Sequence, residues 1–176
     1  MKREINLYLL GGFVFTSLVG TLFHFAYEWS GNNIIVAAVS AVNESTAEHL
    51  KIFFFPTFIF GIFEYLKYGK EIGWFWKIKL EGILLGMLFI TAFFYTYKGI
   101  VGHNIDFLNI LDFFLGAAVC YIWQKLRFRN NRKNCREFVW FGITCLIAAA
   151  FIYFTYNPPV IGLFEDPITL EYGIVH

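Results

Sequence analysis

Four histidines and a set of carboxylates are the residues in this chain that could do chemistry, and several are spaced to meet. His24 and Glu28 stand four apart, which on a helix places them on one face. Glu44, Glu48 and His49 crowd a short stretch, and His103 precedes Asp106 by three residues. Neutral imidazole with carboxylate is the donor set a zinc-type divalent ion takes, and the same groups can serve as general base and acid. His24, Glu28, His49 and His103 are therefore candidate metal ligands, with Glu44, Glu48, Asp106 and Asp112 as candidate catalytic carboxylates. Structural roles compete for each. Glu48 completes the Ser45-Thr46-Ala47-Glu48 capping-box pattern and can pair with Lys51, while Asp112 could be a neutral hydrogen-bonding group between helices.

What must position these residues is a membrane-embedded bundle. The chain has 176 residues, 58% of them hydrophobic, 22% aromatic and only 15% charged, too apolar to cover the surface of a soluble domain. Five apolar runs, near residues 6–27, 48–66, 80–98, 106–124 and 137–156, are each long enough for a helix to cross a hydrocarbon core of roughly 30 Å. Continuous runs of this length suit helices, which satisfy their own backbone, better than barrel strands. The fold class is therefore all-α, a polytopic bundle of about five transmembrane helices spanning 1–156, with residues 157–176 as a C-terminal tail packing on it. The apolar stretch from Ile34 to Val42 is too short to cross and reads as a re-entrant or interfacial segment. Pro56 predicts a kink in the second long helix, and Trp29, Trp74, Trp76 and Trp123 lie near helix ends, where rings favour the interface.

Charge sets the direction. Twelve of the fourteen Lys and Arg residues fall in three clusters, at 2–3, 67–79 and 125–136. Short basic loops stay cytoplasmic, so the N-terminus is expected inside and the C-terminus outside, with all four histidines, His176 included, toward the outer face. A net charge of +1 with no basic groove argues against nucleic acid as a partner. Cys120, Cys135 and Cys145 have no metal-ligand spacing. The expected surroundings are membrane lipids, with a homodimer or a membrane-protein partner as the further possibility. Tail residues Val160, Ile161, Leu163 and Phe164 are expected to fold back over the outer site as a lid.

Two blocks carry a resemblance. Trp29-Ser30-Gly31, Val42-Asn43-Glu44-Ser45, Glu48-His49-Leu50-Lys51 and Phe54-Phe55-Pro56 form one; Asn157-Pro158-Pro159, Gly162-Leu163-Phe164, Asp166-Pro167 and Tyr172-Gly173-Ile174 form the other. Together they resemble a family of small multipass bacterial membrane proteins, mostly from Firmicutes, that is known only as a domain of unknown function. The resemblance implies class and a bacterial plasma-membrane location, and carries no activity. A looser similarity is to membrane-embedded zinc hydrolases of the alkaline ceramidase type, although those look like seven-helix bundles with a late histidine pair that this chain lacks. The functional expectation is an outward-facing His/Glu/Asp site in a metal-dependent or acid-base hydrolase of a lipid or lipid-linked substrate. The alternatives are a small transporter or permeation component, or a non-catalytic membrane subunit.

Overall fold

The computed structural model describes residues 2–128 and 136–174, and within them the chain is helical. Arg129, Arg132, Lys133 and Cys135 of the third basic cluster, and His176, lie outside the described residues. The elements are α1 (Lys2–Trp29), a single turn α2 (Ile34–Ala37), α3 (Thr46–Lys67), a 3₁₀ turn (Gly69–Glu71), α4 (Phe75–Val101), α5 (Asp106–Arg127) and α6 (Glu137–Tyr156). All five long helices are long and apolar enough to cross a membrane. Their ends alternate. His24 near the end of α1 meets His49 near the start of α3, whereas Tyr8 at the other end of α1 meets Tyr68 just past α3. The bundle thus has a histidine end and a lysine end.

Helix α3 is the central post, with the largest buried share of the five spans. Its phenylalanines pack outward on several sides: Phe53 against Phe113 of α5, and Phe54 against Phe151 of α6. Trp76 is not an interfacial ring but is buried between Phe58 and Phe141. The reason is that α4 begins at Phe75, not near residue 80, and its first turn is stabilised from another helix, because the Trp76 N–H donates to Glu137 Oε2 at 2.9 Å. Pro56 leaves α3 unbroken. It deprives the Ile52 carbonyl of its usual donor. That carbonyl faces α1 at Gly20, where a Cβ would stand 3.0 Å from the oxygen and 2.4 Å from the Phe113 ring.

The segment from Ile34 to Val42 makes the one turn of α2 and then lies against the bundle. Its Ala41 N–H donates to the Phe23 carbonyl at 3.1 Å, while Ile34 and Ile35 stay exposed. The α4–α5 contact is closer than branched side chains would allow. A Cβ on Gly86 would lie 2.8 Å from the Gly116 carbonyl oxygen, and one on Gly82 would lie 2.9 Å from that of Cys120. Gly82 and Gly86 form the small-xxx-small pattern that lets helices approach in lipid, where tight packing rather than hydrophobic burial drives association. Replacing Gly86 with leucine is expected to force α4 and α5 apart and cost about 1–3 kcal/mol or more, as overpacking does. Thermal unfolding of the detergent-solubilised variant should show the lower midpoint, and an unchanged one would mean that the two backbones do not approach here.

Candidate functional site

Three of the candidate residues converge at the histidine end. His24 comes from the last turns of α1, His49 from the first turn of α3, and Glu44 from the loop between α2 and α3. Glu44 bridges the two rings, with Oε1 3.7 Å from His24 Nε2 and Oε2 3.6 Å from His49 Nε2. One ligand atom from each lies within 4.8 Å of the other two. Bonds of 2.0–2.1 Å in tetrahedral geometry would set such atoms roughly 3.3 Å apart, so small side-chain rotations would close this triangle on an ion. His49 Nδ1 is 3.0 Å from the Ser45 carbonyl oxygen, which can only accept. The proton of a neutral ring is therefore on Nδ1, and the Nε2 lone pair is free to ligate; a fixed second nitrogen of this kind is typical of metal-binding histidines.

The local sequence explains why Glu44 is held there. Asn43 Oδ1 accepts from the Ser45 N–H at 2.9 Å, and Ser45 caps α3 by accepting from the Glu48 N–H at 3.4 Å. The capping box is only half made, because the Glu48 carboxylate turns elsewhere. It pairs with Lys51 at 2.5 Å and accepts from the Val42 N–H at 3.0 Å. Lys51, fully buried, also donates to the Ala37 carbonyl and to Thr155 of α6. Glu48 thus ties the loop to the bundle and stands apart from the cluster. The tail adds a second brace: Asn43 donates to the Gly173 carbonyl at 2.9 Å, the Glu44 N–H points at Asp166 Oδ2 at 3.4 Å, and the Ala47 N–H donates to the Leu163 carbonyl at 2.9 Å. Phe164 packs on Phe154, but Val160 and Ile161 remain exposed. The His24 imidazole beside Glu44 holds its carboxyl below the usual range; partial burial opposes this and the His49 ring assists it.

A cavity of about 30 Å³ opens beside this cluster, with Glu44, His49, Asn104, Asn109 and Asp112 among its lining and Phe94 and Phe113 as apolar walls. Asp112 is 2% exposed, and its Oδ1 has no hydrogen-bond partner among the described residues. The hydroxyl of Tyr97 contacts Asn104 and Asn109 at the same rim. Glu28, His103 and Asp106 are exposed and do not join the three-residue cluster. Their spacing was right for a helix face or a helix start, but the faces they occupy point to the surroundings.

The molecule is a polytopic membrane protein, an all-α bundle with a cluster of two histidines and a glutamate at one end. The chain belongs to the family of unknown function DUF6512, whose model matches residues 2–174. Neither a curated protein nor a solved structure matches it.

Glu64 and Lys79 border the second basic cluster in the sequence, yet both are fully buried. Lys79 pairs with Glu64 and donates to Gln124 Oε1 at 2.8 Å; Tyr68 donates to the other Glu64 oxygen at 2.6 Å. Proximity to a basic cluster hid them, although a lysine and a glutamate facing each other from two spans was the available signal. Removing one partner strands a buried charge. Lys79→Met is expected to cost roughly 3–5 kcal/mol, with much of it recovered in the Lys79→Met, Glu64→Leu double variant. Unfolding midpoints of the single and double variants check this, and simple additivity of the two losses would mean that the charges are not coupled.

Proposed function

We propose that His24, Glu44 and His49 bind one divalent ion of the zinc type, and that the protein is a metal-dependent hydrolase of a lipid or lipid-linked substrate at the outer face of a bacterial plasma membrane. The observation that carries this reading is the three-residue cluster, two members of which also line the cavity. Three protein ligands with a further position open are the arrangement of catalytic rather than structural zinc, since the open position holds the water that attacks. The site's place supports a membrane substrate: it lies among the last turns of α1 and the first turn of α3, at the ends of two helices apolar enough to cross a membrane rather than on a separate soluble domain. Within this reading Glu48 positions the loop, Asp112 faces the cavity, and Glu28, His103 and Asp106 have no ligand role.

Metal analysis of the purified full-length protein should give one equivalent of zinc per chain. His49→Ala and Glu44→Ala are expected to weaken binding by more than about 100-fold, beyond the 10–100-fold typical of supporting residues, while His103→Ala leaves it unchanged. Binding should fade on acidification through the imidazole range, where the ligating nitrogens take up protons, and not at the carboxylate range, below which Glu44 is held. Absence of stoichiometric metal, or equal binding by the His49 variant, would remove the metal centre.

Orientation follows from charge. The basic residues Lys67, Lys70, Lys125 and Arg127 stand at the lysine end, which supports a cytoplasmic lysine end and an external histidine end. A reporter active only outside the cytoplasm, fused after residue 176, should therefore be active. Activity of a cytoplasm-dependent reporter at the same position would reverse the orientation.

A further inference from the structure

Among the described residues, Asp112 presents the one cavity-lining carboxylate that the metal cluster does not use. It is 2% exposed, lies within a membrane-spanning helix, and leaves Oδ1 without a hydrogen-bond partner among the described residues. A group so placed needs a donor or a cation to offset its desolvation. The titratable groups that share its cavity are Glu44 and His49, and among the described residues no lysine or arginine lines that space. The cavity's volume of about 30 Å³ accommodates a water or two, since one water needs roughly 10–15 Å³ by that measure. Phe94 and Phe113 form its apolar walls.

We propose that Asp112 is the proton acceptor for the water that occupies the ion's open position, which puts the general base of a hydrolytic reaction on α5, across the cavity from His49 and Glu44. The inference rests on the metal reading above. In the step it describes, the Asp112 carboxylate takes a proton from the water, so that one water O–H bond breaks as an O–H bond forms on Asp112. The remaining hydroxide oxygen bonds to the carbonyl or phosphoryl centre of the substrate. Asp112 then returns the proton to the departing oxygen or nitrogen as its bond to that centre breaks. One water is consumed, and nothing is oxidised or reduced.

The test uses the full-length protein loaded with cobalt, whose visible spectrum reports the coordination sphere, and titrates azide as an anion that displaces the water. A carboxylate beside that position repels the anion. Asp112→Asn is therefore expected to keep its cobalt and to bind azide about tenfold more tightly at mildly alkaline pH, a change of the size a nearby charge produces. Asp106→Asn, which removes an exposed charge on the same helix, should match the wild type, and Asp112→Ala should behave as Asp112→Asn does if the latter folds poorly. Cobalt bound normally with azide affinity unchanged or weakened in the Asp112 variants would overturn this role alone. Failure of the wild type to bind cobalt would instead remove the metal centre and this proposal with it.

Discussion

Charges buried against α3 fix the geometry of everything else in this molecule. An ammonium or carboxylate in hydrocarbon is costly unless partnered, so each buried pair admits few arrangements of the helices that carry it. Near the histidine end Lys51 reaches the Glu48 carboxylate, the Ala37 carbonyl and Thr155, joining α2, α3 and α6. Toward the lysine end Lys79 reaches Glu64 and Gln124, joining α3, α4 and α5. Only α1 is left out of these ties, and it is held by hydroxyl contacts, with Thr16 2.9 Å from the Tyr121 hydroxyl and 3.3 Å from that of Thr57. Whether these pairs add net stability matters less than what they exclude, since sliding α4 by a turn against α3 would strand the Lys79 and Glu64 charges.

That constraint explains which parts of the structure the sequence made legible. Helix number and class follow from hydropathy, which averages over many residues and tolerates local error. The start of α4 does not, because Lys77 and Lys79 looked like loop charges when in fact Glu137 of a distant helix caps the first turn and Glu64 neutralises Lys79. Trp76 was misread for the same reason, its neighbours being charged in sequence but enclosed in space. At the site, His24, Glu44 and His49 were all among the candidate residues, yet nothing in their spacing distinguished them from Glu28, His103 and Asp106. The distinction arises from long-range contacts. The α1–α3 pairing brings His24 and His49 together, and a loop whose path depends on Lys51 and on a tail more than a hundred residues away supplies Glu44.

Asp166 shows the limit most clearly. In sequence it is an acid before a proline in an irregular tail, and in space it is a buried staple. Its Oδ1 accepts from the Ile168 N–H at 2.7 Å to shape its own turn, and its Oδ2 faces the backbone N–H of Glu44. An isolated bridge between Glu165 and Tyr172 closes the same turn, and the Tyr172 hydroxyl donates to Glu165 at 2.7 Å. The tail is therefore not only a cover. It supports the backbone of a residue that bears the proposed ligand atom.

The same arrangement bears on how firmly an ion would be held. Two of the three donors sit on helices embedded in the bundle, which limits them to side-chain rotation, and His49 loses even part of that freedom to its Nδ1 contact with Ser45. Glu44 is the only loop donor, but its neighbours Val42, Asn43, Ser45 and Ala47 are each hydrogen-bonded to a distant or capping group. Ordering a carboxylate costs conformational entropy at the moment of binding unless the fold has already imposed it. Here that cost falls on folding, so the ion binding proposed above would not call for a rearranged backbone. His24 and Glu44 remain part exposed, with side-chain exposures of 29% and 39%, which leaves a short route for an ion from water while Glu48 and Lys51 behind them are closed to it. A rigid interior with an accessible rim is the combination that a reversible, exchange-competent metal site requires, and a fully enclosed triad would have traded that exchange for permanence.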